Sequence, residues 1–373
     1  MDRAARELNI DPLELRRINF IKKESFPYRS STGEMIDVGD FDLVLTAAEI
    51  SADIKDYEQR KKESEAKGRL RGLGLCYYIE SILGDPSEEA KVVFEEDGGV
   101  KIFVGTQSNG QGHETVFAQF LSDQTGIPTE KIIVVQGDSD LIPRGGGTGG
   151  SRSVTVQNNA TLAAVEKIIQ SFSQYLSEKL EVDVEDIGFD DTSFRIKGSN
   201  YSPNVLEVAK MASEDHRFDL LKHSAKATLD ARSFPNGAHF AEVEIDPDTG
   251  FVQVVRYSVV DDFGNLINPM LAEGQVHGGV AQGIGQALYE HVVFDKEGQL
   301  LTATFMDYGM PRAQDLPYYK FETECVPSTA NIMGMKGCGE AGTVGALAAV
   351  ANAVQDALWE IGVQQVDMPF TSE

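Results

Sequence analysis

Four glycine-rich segments mark where this chain could approach a ligand most closely. They are residues 109–113 (NGQGH), 145–153 (GGGTGGSRS), 274–285 (GQVHGGVAQGIG) and 336–342 (KGCGEAG). Glycine adopts positive φ and lets a backbone come close to a bound group. Each segment precedes or opens a helical pattern, and a helix start offers unpaired N–H groups and the positive end of a dipole. Any one of them alone is also an ordinary tight turn. Several converging would form a site for a large anionic ligand.

Few acids have neighbours as weakly polar as those of Glu340, set in KGCGEAGTVGALAAV at a helix start. Burial raises a carboxyl pKa and a helix N-terminus lowers it. The residues alone leave two roles open: a base in a cleft, or an acid that complements the helix dipole. Two segments match G-x-G-x-x-G, at Gly145, Gly147 and Gly150 and at Gly337, Gly339 and Gly342. Neither follows a clean buried strand with an acidic residue closing a βαβ unit, which argues against a dinucleotide site. No Gly-Lys-Ser/Thr or G-x-S-x-G occurs, so phosphate-loop and hydrolase-elbow chemistry lack support. The six histidines form neither HxH nor HExxH, so no side-chain metal site is expected. His113 and His277 lie in glycine-rich segments, where either a ligand contact or a local hydrogen bond would suit them.

Composition narrows the partners. The 373 residues are 41% hydrophobic and 25% charged, with a formal net charge of −26. That charge repels nucleic acid and anionic membrane, so neither is expected. Cys76, Cys325 and Cys338 form no CxxC pair, which suits a reducing cytoplasm and no iron–sulfur cluster on this chain. No signal peptide or membrane span is expected.

The elements that must position these segments read as an α+β fold. Residues 2–20 predict a helix broken by a turn, restarting with Asp11 as N-cap and Pro12 at the first helical position. Residues 41–67 predict a solvated linking helix. Residues 90–106 predict a hairpin around Asp97-Gly98-Gly99. A helix ending at Gly126, a strand near 131–140 and a long amphipathic helix from residue 154 follow. Strands flank the turn at Asp246 to Gly250, and two small-residue helices close the chain. We expect a connector at 1–68 and two related subdomains, at 69–222 and 223–373.

Three long segments, in order, resemble the xanthine dehydrogenase/aldehyde oxidase-type molybdenum hydroxylases. They are NGQGHETVFAQFLSDQTGIPTEKIIVVQGDSDLIPRGGGTGGSRS, VVDDFGNLINPMLAEGQVHGGVAQGIGQALYE, and MDYGMPRAQDLP followed by MGMKGCGEAGTVGALAAVANAVQDAL. The opening, LNIDPLELRRINFI…FPYRSSTGEMIDVGDF, resembles the family's mid-chain connector. The resemblance covers essentially the whole chain and corresponds to the C-terminal half of the molybdopterin-binding subunit. It implies that the two subdomains form the second molybdopterin-binding domain. It implies hydroxylation of an aldehyde or N-heterocycle with oxygen from water, or in one branch oxidation of carbon monoxide. Glu340 matches the family's catalytic base. Gln111, Gly112, His113, Thr148, Gly149, Gly150, Ser151, Arg152, Ser153 and Gln275 match cofactor-binding loops, with Arg152 expected to supply charge there. Lys336, Gly337 and Gly339 flank the base and are expected to bind the cofactor as well. Cys338 stands where valine is common, and a structural role is expected.

The resemblance further implies a pterin that carries the molybdenum, in the cytosine dinucleotide form. Iron–sulfur and FAD groups would sit on partner subunits. The front half of the large subunit would come from a separate chain or be missing by truncation, and the isolated chain would be inactive. A non-catalytic cofactor-binding or assembly subunit is the alternative; it would not use Glu340.

Overall fold

The computed structural model describes residues 1–372. The chain opens with α1 (Asp2–Leu8) and α2 (Pro12–Asn19). The Asp11 carboxylate accepts the Leu13 and Glu14 N–H groups, at 2.8 and 3.1 Å, which fixes the restart as expected. A two-residue ribbon follows, β1 (Tyr28–Arg29) with β2 (Met35–Ile36). The segment 41–67 departs from expectation: it forms α3 (Phe41–Ser51) and α4 (Tyr57–Glu65) rather than one solvated helix. Val44, Leu45 and Ala48 of α3 are fully buried in a core with Leu75, Phe240 and Val260. The apolar stripe, not the charge, decided its place.

The rest builds two units of one topology. After β3 (Leu70–Ile79), the first contains β4 (Ser87–Phe94), β5 (Val100–Val104), α5 (His113–Thr125), β6 (Ile132–Val135) and α6 (Ser153–Leu180). A small ribbon of β7 (Ile187–Phe189) and β8 (Phe194–Ile196), then α7 (Val205–Glu214) and β9 (Lys222–Thr228), complete that stretch. The second contains β10 (Asn236–Ile245), β11 (Val252–Asp262), α8 (Pro269–Leu288), β12 (Tyr319–Thr323) and α9 (Ala341–Trp359). In each unit an antiparallel hairpin is followed by a helix, a strand parallel to the hairpin's second strand, and another helix. The sheet orders are β6-β5-β4-β9 and β12-β11-β10-β3.

The fourth strands do not respect the expected boundaries. β3 lies within 69–222 yet pairs with β10 over its whole length, and β9 begins at residue 222 yet pairs with β4. Strand pairing across such sequence distances leaves no local signal, so a boundary drawn from composition cannot see it.

Close approach sets the second unit. A Cβ on Gly72 or Gly74 of β3 would stand 2.0 Å from the carbonyl oxygens of Ala353 and Ala349 in α9. Only glycine permits that contact between strand and helix backbones. The glycine-rich stretch 274–285 is the interior of α8 rather than a ligand loop. Gly279 and Gly283 press against Gly342 and Ala346 of α9, so most of that stretch serves helix packing.

Candidate cofactor cleft

A parallel strand pair needs a crossover, and each crossover here delivers a helix start to the C-terminal ends of the strands. The two units therefore bring four helix N-termini together: α5, α6, α8 and α9. The loops entering them, 105–112, 136–152, 263–268 and 324–340, converge on one cleft of about 690 Å³. Four converging helix starts, each with free N–H groups, suit an anionic group.

The β5–α5 loop contributes Gln111 and His113. The Gln111 Oε1 accepts the Asn109 N–H at 2.5 Å and so braces its own loop. His113 is 5% exposed, and its Nδ1 is buried without a hydrogen-bond partner among the described residues. Burial lowers its pKa, which keeps the ring neutral. Gly112 does not face the cleft: it caps α5 at φ 78° and packs on Leu271.

The β6–α6 loop contributes Thr148, Gly149, Gly150, Ser151 and Ser153. The Thr148 hydroxyl accepts from the Gln107 N–H at 3.0 Å and donates to the Gln107 carbonyl, stitching this loop to its neighbour. Arg152 departs from expectation. Its side chain is 2% exposed and its guanidinium is fully engaged behind the loop. It donates to Glu88 at 2.9 Å and to the carbonyls of Asp85, Ser87 and Gly147. Glu88 also accepts the Gly146 N–H at 2.7 Å. The pair clamps the loop's shape and offers no charge to the cleft.

The β11–α8 loop contributes Asn265 and Asn268, and α8 adds Gln275. Asn268 caps α8 by accepting the Leu271 N–H at 3.1 Å. The Gln275 Nε2 donates to the Gly339 carbonyl at 2.6 Å and so holds the loop next to Glu340. His277 points elsewhere, edge-on to Tyr319. The two asparagines lie inside a segment that carried the family resemblance, but no local rule singled them out.

The β12–α9 loop contributes residues 335–340. Glu340 caps α9 and is open to the cleft. One hydroxyl fixes it twice: Ser151 Oγ donates to Glu340 Oε2 at 3.1 Å and accepts the Glu340 N–H at 3.0 Å. Gly337 makes this junction possible, since a Cβ there would stand 2.1 Å from the Ser151 carbonyl oxygen. Lys336 reaches the cleft only by its backbone. Its ammonium is fully buried against Asp262, a second departure from the expected cofactor role. Burial pushes the Cys338 thiol up to about 12, so it stays protonated, in keeping with a structural part. The three cysteines are free.

Among the described residues no group of three or more His, Cys, Asp or Glu gathers to hold a metal ion. No helix there is long and apolar enough to cross a membrane. The donor set fits a large anionic organic group instead. Backbone N–H groups, the His113 ring and side-chain amides line the cleft, with the Glu340 carboxylate at its wall.

Comparisons with known proteins agree with that chemistry. The family described as the molybdopterin cofactor-binding domain matches residues 48–317. The carbon monoxide dehydrogenase large chain of Afipia carboxidovorans is 33% identical over 98% of this chain and 48% of its own length. The nicotine 6-hydroxylase large subunit of Paenarthrobacter nicotinovorans is 35% identical over 100% of this chain and 48% of its own. The crystal structure of quinoline 2-oxidoreductase from Pseudomonas putida superposes with a TM-score of 0.90 at 32% identity, covering 100% of this chain and 50% of that one. The chain thus spans about half the length of these relatives.

Proposed function

This chain belongs to the molybdopterin-binding subunits of the xanthine dehydrogenase-type molybdenum hydroxylases, and from that premise we propose that it forms the catalytic-base half of such an enzyme's cofactor site. The observation that carries the proposal is the convergence of four helix starts on one cleft with Glu340 at its wall. The molybdenum cofactor, when bound, supplies the two-electron oxidation that hydroxylates an aldehyde or N-heterocycle with oxygen from water. Gln111, His113, Thr148, Gly149, Gly150, Ser153 and Gln275 would hold it. Backbone N–H groups would face its anionic portions, beside the neutral ring of His113. Glu340 would take up a proton in the cleft, its carboxylate steadied by Ser151.

The same reading extends to the cytosine dinucleotide form of the pterin and to iron–sulfur and FAD groups on partner subunits in the cytoplasm. A front-half polypeptide would complete the cleft. Phe305, Met306, Tyr318 and Ile332 support that need, being 80 to 93% exposed. Exposed large apolar side chains, where they gather into a patch, suit a surface that another chain covers. The isolated chain is then inactive.

The test is to produce the chain in a host that makes the cofactor, alone and with a front-half polypeptide, and to assay bound molybdenum, pterin and dye-linked oxidation. Glu340→Gln in the assembled protein is expected to keep its molybdenum and lose about 10²- to 10⁴-fold in turnover. Wild-type turnover by that variant would refute the base, and turnover by the lone chain would refute the need for a partner.

A further inference from the structure

Glu80 was not among the residues that sequence reasoning brought forward, yet it stands beside Glu340. It directly follows β3, and its N–H donates to the Pro235 carbonyl at 2.8 Å. Both of its carboxyl oxygens are buried and neither has a hydrogen-bond partner among the described residues. The groups that face it are Ser151 and Glu340. The Ser151 hydroxyl has one proton for two carboxyl groups: it lies between Glu80 and Glu340 and is directed at Glu340 Oε2, at 3.1 Å.

Other charged or titratable groups nearby offer no relief. Asp261 of β11 is fully buried and adds a further negative charge. The Tyr78 hydroxyl spends its proton on Asp261, at 3.0 Å. His239 also faces Asp261, at 3.3 Å, and Cys338 is held as a thiol. The two buried cations near the cleft are already engaged, Lys336 with Asp262 and Arg152 with Glu88. An ionised Glu80 would therefore be a buried anion between two others, with only the Ser151 hydroxyl, already directed at Glu340, as a donor near it. A protonated Glu80 has one donor and a carboxylate directly opposite to receive it.

We propose that Glu80 is a positioning residue that keeps a proton and donates it as a hydrogen bond to the Glu340 carboxylate, holding that group toward the cleft. The carboxyl–carboxylate pair shares one proton, and the more buried member carries it. Two like acids that face each other in a buried site do not both ionise readily, and burial selects which one stays neutral. Three remote segments thus act on one group: residue 340 as the carboxylate, residue 151 as the hydroxyl clasp and residue 80 as the neutral acid. The catalytic meaning of the pair rests on Glu340 being the base. The pair itself is a property of this chain and can be read without cofactor.

The experiment is an infrared pH titration of the full 373-residue chain, following the C=O stretch of protonated carboxyl groups. The band missing from Glu80→Gln is expected in the wild-type protein and fades around pH 7. In Glu340→Gln the opposing charge is gone, and the midpoint should fall by about one pH unit. A wild-type protein with no such band, or a midpoint unmoved in Glu340→Gln, would overturn the shared proton. Should Glu80→Gln fail to fold, carboxyl-¹³C glutamate NMR of the wild-type and Glu340→Gln proteins reads the same coupling. Failure of the chain to retain molybdenum would defeat the function proposed above and leave this titration unchanged, so the two failures are distinguishable.

Discussion

Breaking the buried ion pair behind the cleft should cost much of the protein's stability. Lys336 and Asp262 have fully buried side chains and bond each other directly. The Asp262 carboxylate also accepts from Asn236 Nδ2 at 3.1 Å and from the N–H groups of Gly264 and Val326, both at 3.0 Å. It therefore ties the ends of two cleft loops and carries four donors on two oxygens. Asp262→Asn keeps the shape but turns an amide N–H₂ toward Lys336 and Asn236, leaving a buried ammonium uncompensated. Removing one partner of such a pair costs about 3–5 kcal/mol. Lys336→Met leaves an anion that still has three donors. Those hydrogen bonds partly offset the stranded charge, so a smaller loss than for Asp262→Asn is expected. The double variant should lose less than the sum of the singles by at least about 1 kcal/mol, because each single strands a charge that the double does not. Urea unfolding of the four proteins, followed by circular dichroism at neutral pH, measures all three quantities. Single variants within about 0.5 kcal/mol of wild type, or strictly additive losses, would refute the argument that this pair is held by burial.

Three further outcomes follow from particular contacts. Gly337→Ala places a methyl group 2.1 Å from the Ser151 carbonyl oxygen; it should part the two loops and lower retained molybdenum in the assembled protein, measured by metal analysis. Gly74→Ala must displace α9 from β3, since its Cβ would sit 2.0 Å from the Ala349 carbonyl oxygen; a loss of about 1–3 kcal/mol or more is expected in urea unfolding. The Glu80 carboxyl is raised to about 7, chiefly by burial, then by Ser151 and Glu340 with opposite signs. For an acid raised in the native state, folding binds a proton between its ordinary value and the raised one, so stability falls as pH climbs through that window and levels off above it. Glu80→Gln lacks this loss and should exceed wild type by roughly 1–3 kcal/mol above pH 7, the two converging toward pH 4.5; parallel stability profiles would show that Glu80 ionises freely.

The sequence by itself determined what is local. Asp11 and Pro12 start α2, Gly126 at φ 69° ends α5, and the Asp97-Gly98-Gly99 turn joins β4 to β5. Caps and turns act over a few residues, so their signals are written contiguously. The glycine loops before α5, α6 and α9 and the placement of Glu340 were legible for the same reason.

Tertiary structure alone decided which of those side chains face the cleft. Arg152 and Lys336 sit in the right loops, but Glu88 and Asp262, 64 and 74 positions away, draw their charges inward. A buried cation goes where a carboxylate can meet it, and nothing near it in sequence says where that is. The strand β3 joins the distant unit because α9 needs a glycine-faced strand beneath it, and that pairing is what sets Glu80 against Glu340 across 260 positions of chain.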